Sequence, residues 1–375
     1  MEIDVTWFLL GLPLAFVLGW LASRLDMRQL RIDNRRSPKA YFKGLNHLLN
    51  EQQDEAIDAF IEAVQKDPDT SELHFALGNL FRRRGEYDRA VRVHEHLLAR
   101  GDLPPLERER AQHALALDFL QAGLLDRAED ALGKLEGSKY ETQARLARLA
   151  IYERTRDWPQ AERIAQQLQA SGQGDFSTRA AHYLCEQAAG QSTERQSELL
   201  LKAMDLAPQS GRARIAFADL AEQSGDANEA LNRLLAGIEY APSATPLIAD
   251  KVAILAIQSQ RVGEVMPVLQ ALYDSTHSLD VLQALAKLRA SASGEGAMRE
   301  QQLLHLEQEP SLVIAAQLLK AQGVEPHIQR ALDKAALPLL RYRCASCGFE
   351  ASRHFWQCPG CQSWDSYSAR RVEEL

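Results

Sequence analysis

The stretch SELHFALGNLFRRRGEYDRAVRVHEHLLARGD, residues 71–102, repeats the pattern of the residues that precede it in the chain. Residues 37–68 read SPKAYFKGLNHLLNEQQDEAIDAFIEAVQKDP, and a shift of 34 residues places Ala56 on Ala90. Small side chains at such positions allow the two helices of a pair to approach closely, while Gly, Asp or Pro ends each helix. The stretch therefore predicts a repeating helix–turn–helix unit.

The same phase continues along the chain. Small residues or a proline recur in register at Gly44, Gly78, Ala128, Ala161, Ala230 and Pro242. A period of 34 residues with these positions resembles the tetratricopeptide repeat. The resemblance is clear for residues 37–170 and 208–242, whereas helix pairs in 172–207 and 243–337 are inferred from amphipathic periodicity. About nine pairs fit residues 37–337 and predict an all-α, right-handed superhelix, a solenoid with a concave inner face.

The composition supports an all-α body and gives no sign of catalysis. Lys and Arg total 43 against 51 Asp and Glu, a net charge of −8, which argues against a general nucleic-acid binder. The sequence holds no glycine-rich phosphate loop, nucleophile elbow or HExxH helix. We therefore expect a protein that is not an enzyme and that acts by binding.

The N-terminal stretch MEIDVTWFLLGLPLAFVLGWLASR contains an uncharged, mostly apolar run between Asp4 and Arg24. At about 1.5 Å per residue, a helix of this run spans about 28 Å, enough to cross the apolar core of a bilayer. A cleaved signal peptide needs a basic leader, and the leader here holds Glu2 and Asp4. A buried soluble helix of this length would show a polar face. The run predicts a transmembrane helix over residues 5–23.

Basic residues after this run set the predicted orientation. Residues 24–36 form a basic juxtamembrane linker with five arginines and two aspartates. Positive charge stays on the cytoplasmic side, so residues 1–4 are expected outside and the chain from Arg24 onward inside. The cytosol keeps thiols reduced, so cysteines farther along the chain are not expected to form disulfides.

Four of the five cysteines lie in RYRCASCGFEASRHFWQCPGCQSWDSY, residues 341–367. Cys344 and Cys347 form one C-x-x-C pair, and Cys358 and Cys361 form a second after a gap of ten residues. Two such turns can place four thiolates around one ion, which predicts a tetrahedral site for iron or zinc. Because every ligand is a protein thiolate, the site is closed, and we expect it to be structural or electron-transferring.

Aromatic residues crowd the same segment and predict its core. A domain of this size buries too little surface to fold without metal. We expect the remaining apolar faces of this domain to dock against the solenoid, and residues 368–375 to form a tail. The aromatic residues are Tyr342, Phe349, Phe355, Trp356, Trp364 and Tyr367.

A candidate partner-binding set lies in the second repeat. Asn79, Arg82 and Arg83 fall on the predicted inner helix, at positions that usually face the groove of such arrays. These side chains could hold a peptide carboxylate or an acidic segment. The alternative interpretation is a solvated arginine cluster. His94 and Cys185 fit helical patterns and are interpreted as ordinary helix residues.

Taken together, these features resemble one protein family. The apolar run, the repeats, the stretch LGNLFRRRGEYDRAVRVHEHLL over residues 77–98 and the terminal RYRCASCGF…WQCPGCQSW are similar to the lipopolysaccharide assembly protein B family of Gram-negative bacteria. The resemblance implies an inner-membrane protein with residues 1–4 in the periplasm and most of the chain in the cytoplasm. It also implies an adaptor that couples the membrane protease FtsH to degradation of the deacetylase that commits flux to lipid A. Organisation of other lipopolysaccharide synthesis or transport proteins at the membrane is implied as well.

In that family the C-terminal segment is rubredoxin-like, and its four metal-binding cysteines map onto the two cysteine pairs described above. Rubredoxins usually carry Gly after both pairs, whereas this chain has Gly348 after the first pair and Gln362 after the second. The departure weakens the electron-transfer interpretation and leaves both iron and zinc open.

Two other functions fit parts of the sequence. A membrane-tethered, rubredoxin-like redox protein would use an Fe–S4 centre, but it needs a partner reductase that nothing else here indicates. A zinc-ribbon nucleic-acid-binding adaptor would use Arg341, Arg343 and Arg353, but the chain lacks a broad basic face. We therefore favour the adaptor, and we leave homo-oligomerisation open.

Overall fold

The computed structural model describes residues 16–20 and 42–375. Contacts divide the chain into two compact units, unit 1 over Met1–Ile151 and unit 2 over Tyr152–Leu375. In the described part of each unit the chain is almost entirely helical up to Ala336.

The predicted membrane segment falls largely outside the described residues. Of the predicted transmembrane helix over 5–23, only residues 16–20 are described, and they are helical and exposed. The predicted outer N-terminus (1–4) and basic linker (24–36) also lie outside the described ranges. Among the described residues no helix is both long enough and apolar enough to cross a bilayer.

Unit 1 is built from short helices. They are α1 (42–49), α2 (Gln53–Lys66), α3 (Ser71–Arg83), α4 (Tyr87–Ala99), α5 (Pro105–Gln121), α6 (Leu125–Gly133) and α7 (Glu141–Thr155), which runs on into unit 2. Within this unit, α3 packs on α4, α4 on α5 and α5 on α6. Sequential neighbours therefore stack in chain order, as in a helical repeat protein.

Unit 2 continues the helices and ends in a small ribbon. Its helices are α8 (Trp158–Ala170), α9 (Ser177–Ala188), α10 (Thr193–Leu206), α11 (Gly211–Gln223), α12 (Ala227–Tyr240), α13 (Thr245–Gln258), α14 (Val262–Thr276), α15 (Leu279–Ser293), α16 (Glu295–Gln308), α17 (Leu312–Gln322) and α18 (Pro326–Ala336). Two short strands follow, β1 (Tyr342–Arg343) and β2 (Glu350–Ala351). Taken in order, α1–α18 make nine consecutive pairs within residues 42–336 of the described chain.

The small residues that carry the repeat period are buried where helices approach closely. A Cβ added to Gly44 would lie 2.9 Å from the Phe60 ring, and one added to Gly78 would lie 2.5 Å from the His94 ring. The alanines in register are at most 1 % exposed: Ala56, Ala90, Ala128, Ala161 and Ala230. The predicted role of these positions is confirmed.

Turns between the two helices of a repeat use the left-handed backbone conformation. Gly85, Gly123 and Gly225, each two residues before the second helix of its pair, have φ of +79°, +75° and +85°. At the same position three other repeats carry Glu51, Arg156 and Gln260, with φ of +60°, +60° and +56°. Glycine adopts this conformation without steric cost, whereas a side chain makes it unfavourable by roughly 1–2 kcal/mol.

The regions in which helix pairs were inferred from periodicity alone are helical as well. Residues 172–207 contain α9 and α10, and residues 243–337 contain α13 to α18. Several unit 2 helices begin at a side-chain cap that accepts from the backbone N–H three residues on, namely Asp157, Ser192, Ser210, Asp226 and Ser311. The largest buried apolar cluster runs from α11 to α18. The protein is therefore an all-α repeat solenoid with a C-terminal ribbon.

The ribbon, residues 341–367, is held by a few backbone pairs. β1 and β2 are antiparallel, with Tyr342 opposite Ala351 and Arg343 opposite Glu350. Isolated bridges join Cys344 to Tyr367 and Gln357 to Trp364. These pairs bring the two C-x-x-C turns to one end of the ribbon.

Candidate metal centre

The four ribbon cysteines converge on one point. Their sulfur atoms all lie within 4.8 Å of one another. Cys344 Sγ is 3.8 Å from Cys361 Sγ, and Cys347 Sγ is 3.7 Å from Cys358 Sγ. Such spacings fit the edges of a tetrahedron of thiolates around one ion at a Zn–S distance of about 2.3 Å.

Each C-x-x-C turn is closed in the same way. Gly348 N donates to Cys344 O at 2.9 Å, and Gln362 N donates to Cys358 O at 2.8 Å. Both residues have positive φ, +76° for Gly348 and +61° for Gln362. The two turns are therefore conformationally equivalent, and the departure from glycine at Gln362 does not disturb the turn.

Donors around the sulfurs favour thiolates. Burial opposes ionisation of Cys344, but its hydrogen bond with the Ser366 hydroxyl and those from the backbone N–H groups of Cys347 and Ser346 lower its pKa to about 6. The backbone N–H of Phe349 favours the Cys347 thiolate, yet burial and the neighbouring sulfurs raise the pKa of Cys347 to about 12. The neighbouring sulfurs therefore oppose simultaneous ionisation of all four thiols, and a bound cation would offset this repulsion.

This donor set fits one metal ion. Four thiolates in a closed shell suit iron or zinc and leave no coordination position for water or substrate. The ion, when bound, would offset part of the negative charge of the four thiolates and cross-link the two turns.

The ribbon core lies directly beside these ligands. Tyr342 and Tyr367 are 5 % exposed, Cys344 and Cys358 are 1 % exposed, and Leu247 of α13 packs against them. Tyr367 donates its hydroxyl hydrogen to Phe349 O at 3.1 Å. The metal turns and the aromatic core are thus one packed unit, and that unit touches the solenoid.

Trp364 is the main anchor between the ribbon and the helices. Its Nε1 donates to Glu153 Oε1 of α7 at 2.9 Å, and its ring stacks on His182 of α9 with centroids 4.8 Å apart. Glu153 also accepts from Arg179 at 2.8 Å and from the Tyr183 hydroxyl. Burial, followed by the Glu153 charge, raises the pKa of Tyr183, so this phenol stays a donor. The predicted docking of the ribbon is confirmed.

The residue after Trp364 adds a polar contact. Asp365 approaches His182 Nε2 with both carboxylate oxygens, at 2.9 and 2.8 Å. His182 is 1 % exposed. A buried imidazole that touches both Trp364 and Asp365 fixes the orientation of the second metal turn against α9.

Residues 368–375, predicted only as a tail, fasten the ribbon to later helices. Arg371 Nε and Nη2 donate to the two oxygens of Asp280, each at 2.8 Å. Glu373 Oε1 accepts from the backbone N–H of Leu312 at 2.6 Å and of Val313 at 3.1 Å, at the start of α17. Glu374 Oε1 accepts from Leu279 N at 2.9 Å, at the start of α15. The tail therefore caps two helix N-termini, where carboxylates are favoured.

Replacing Glu373 with alanine should destabilise this end of unit 2 by about 1–3 kcal/mol, because two backbone N–H groups and the Ser311 hydroxyl lose their acceptor. Hydrogen exchange in the first turn of α17 and thermal denaturation measure the effect. The matched control is Glu300→Ala, at an exposed position of α16. Equal hydrogen exchange in α17 and equal thermal stability of the two variants would contradict the capping role of Glu373.

The candidate partner-binding residues lie in unit 1, apart from the metal ligands in sequence, and two of them are engaged internally. Arg82 donates to Asp118 Oδ1 at 2.8 Å and to Asn79 Oδ1 at 2.6 Å. Asp118 is fully buried and also contacts His94 Nδ1 at 2.5 Å. Arg83 is exposed. Partner binding by Asn79, Arg82 and Arg83 stays a prediction, while His94 proves to be part of a buried polar network that its helical pattern did not indicate.

Cys185 and the three ribbon arginines considered for nucleic-acid binding make contacts that are common in folded proteins. Cys185 is buried among apolar side chains, and burial raises the pKa of its thiol to about 11, as expected of a core residue. Arg343 pairs with Glu350 at 2.8 Å, and Arg341 lies 3.7 Å from the same carboxylate. Arg353 lies over the Phe355 ring at 4.7 Å. Sharing of Glu350 reduces the basic character that nucleic-acid binding would need.

The fold and the site together define a class of protein, a tetratricopeptide-repeat solenoid that carries a rubredoxin-type metal domain. A family model described as rubredoxin metal binding domain matches residues 342–368, and one described as tetratricopeptide repeat matches residues 73–109. A tetratricopeptide repeat protein from Parabacteroides merdae aligns over 80 % of this chain and 97 % of its own, at 12 % identity and a TM-score of 0.34.

Relatives over the full length identify the family. Lipopolysaccharide assembly protein B of Escherichia coli K12 is 31 % identical, and the alignment covers 95 % of each chain. The protein of the same name from Haemophilus influenzae is 28 % identical over 95 % of this chain and 96 % of its own. The chain therefore belongs to the lipopolysaccharide assembly protein B family.

Proposed function

We propose that this protein is a non-enzymatic adaptor of the bacterial inner membrane that regulates lipopolysaccharide biosynthesis. The link to lipopolysaccharide rests on the name shared by its full-length relatives. The observation that carries the adaptor role is the ribbon clamped onto the helices through Trp364 and Glu153, which fixes an irregular surface of repeats and ribbon. A rigid composite surface of this kind suits recognition of partner proteins.

The adaptor acts by proximity. Residues 5–23 anchor the chain, and residues 24–36 keep the bulk of it on the cytoplasmic side. The solenoid then presents the lipid A-committing deacetylase to the membrane protease FtsH, at an effective concentration set by the shared membrane. Other lipopolysaccharide synthesis or transport proteins are gathered in the same way. The closed thiolate site supports a structural role for the metal in this scheme.

One observation favours a second candidate, the membrane-tethered redox protein. Cys347 and Cys361 are exposed, so that two ligand sulfurs face solvent and could pass an electron to a partner. A reversible one-electron couple of the iron-loaded protein, together with turnover by a reductase, would be required. A zinc-loaded native protein would eliminate this candidate.

Depletion of the protein in cells tests the adaptor. We expect the half-life of the deacetylase to lengthen and lipopolysaccharide to accumulate, because the protease loses its means of capturing this substrate. Pulse–chase labelling measures the half-life, and a second substrate of the same protease, with unchanged half-life, serves as the control. A chain lacking residues 1–24 should restore turnover poorly. Unchanged deacetylase turnover after depletion would contradict the proposal.

A further inference from the structure

A second site lies where the ribbon faces the helices of unit 2. A cleft of about 560 Å³ opens between the end of α7, the start of α8, α11 and the ribbon. This volume is within the range of about 300–1,000 Å³ that is usual for small-ligand sites. The cleft is lined by four arginines and two tryptophans, among other residues: Arg154, Arg156, Arg212, Arg353, Trp158 and Trp356.

The cleft has a surplus of positive charge. Outside the metal ligands, four arginines line it against two glutamates, Glu153 and Glu186. Both carboxylates are occupied: Glu153 accepts from Trp364, and Glu186 accepts from Arg212 Nη2 at 2.6 Å. In a chain with a net charge of −8, such a local excess is not a general surface property.

The arginines retain free donor capacity. Within the described chain, Arg154, Arg156 and Arg353 form no ion pair with a carboxylate. Arg212 Nη1 is buried and has no hydrogen-bond acceptor among the described residues. A buried guanidinium N–H without an acceptor is costly, so an acceptor supplied by a ligand would be favourable.

Arg156 adds an independent observation. It stands at the turn position where three other repeats carry glycine, and its φ of +60° is unfavourable for a side chain. The left-handed turn belongs to the repeat, since Glu51 and Gln260 adopt it too, but at Arg156 it places a charged side chain in the cleft. Gln260 has the same conformation, φ +56°, but is not among the residues that line the cleft. Gln260 therefore provides the matched control.

We propose that this cleft binds a phosphate-bearing anion through Arg154, Arg156, Arg212 and Arg353. Guanidinium groups bind phosphate oxygens with paired hydrogen bonds, and a doubly charged phosphate can engage several of them at once. A single carboxylate offers one charge and matches the surplus less well. The half-buried faces of Trp158 and Trp356 would cover the group that carries the phosphate. The ligand is either a soluble phosphorylated compound or a phospholipid headgroup, which share this chemistry.

The test uses the metal-loaded full chain in phosphatidylcholine nanodiscs, titrated with inorganic pyrophosphate at low salt. Arg156→Gly should weaken pyrophosphate binding by about 10-fold or more, the loss expected for a charged hydrogen bond. The same variant removes the steric cost of the positive φ at this position. Gln260→Gly removes the same steric cost of a positive φ and should leave the affinity for pyrophosphate unchanged. In a second arm the same titration is repeated in nanodiscs that also contain phosphatidic acid. If phosphatidic acid weakens pyrophosphate binding there, the site is assigned to a phospholipid headgroup.

The outcomes separate clearly. A soluble ligand is supported if Arg156→Gly weakens pyrophosphate binding and phosphatidic acid has no effect on it. A headgroup is supported if pyrophosphate binds in phosphatidylcholine nanodiscs but not in nanodiscs that contain phosphatidic acid. No binding in either arm, or equal affinity of wild type and Arg156→Gly, would overturn the proposal. Displacement of pyrophosphate by hexaglutamate at lower concentration would assign the cleft to an acidic protein segment and overturn it too. Because purified protein suffices, the result is independent of the proposed role in proteolysis.

Discussion

Replacing Cys358 with serine should release the metal ion and unfold the ribbon while most of the helical ellipticity remains. Metal binding contributes about 10–16 kcal/mol in small structural zinc domains, more than a segment this short can replace by packing. The sulfur of Cys358 lies 3.7 Å from that of Cys347 and its side chain is 1 % exposed, so the variant removes a buried thiolate from the site. Limited proteolysis should then cut within residues 341–367.

The matched control for this variant is Cys185→Ser, which makes the same chemical change in the buried core of α9. It should keep the metal and the protease resistance of the ribbon. Under the function proposed above, Cys358→Ser in cells should insert into the membrane normally but fail to shorten the half-life of the deacetylase. A ribbon that stays protected in Cys358→Ser would show that packing alone holds it.

Replacing Trp364 with alanine should undock the ribbon without emptying the metal site. The variant removes the stacking on His182 and the hydrogen bond to Glu153, and an anchor of this kind contributes at least about 2 kcal/mol. That loss shifts the docking equilibrium by about 30-fold. Hydrogen exchange in α9 should rise, while the metal content stays at the wild-type value.

Phe349→Ala is the control for Trp364→Ala, because Phe349 is a ribbon aromatic that is 45 % exposed. It should leave exchange in α9 unchanged. The comparison also separates docking from metal binding, since only Cys358→Ser should lose the ion. Unchanged exchange in Trp364→Ala would contradict the anchoring role of this residue.

Sequence patterns predicted the features that depend only on residues close together in the chain, namely the helix pairs and the cysteine turns. The 34-residue spacing of Ala56 and Ala90 reports a helix pair, and the spacing of Cys344 and Cys347 reports a metal turn. Both patterns are complete within a short stretch of chain. They are therefore visible before any tertiary contact is known.

Contacts between distant residues have no such pattern. Glu153 meets Trp364 across 211 positions, and Glu373 meets Leu312 across 61. The hydrogen bond from Arg82 to Asp118 of another helix likewise left no trace in the local sequence, although partner binding by Arg82 stays a prediction. The capping role of the last residues and the cleft at Arg156 follow only from the folded arrangement.

Metal analysis of the full chain, purified from its native host without added metal or chelator, tests the central claim most directly. We expect about one iron or zinc ion per chain, held by the four sulfur atoms that lie within 4.8 Å of one another. A folded preparation that contains neither metal would contradict this expectation.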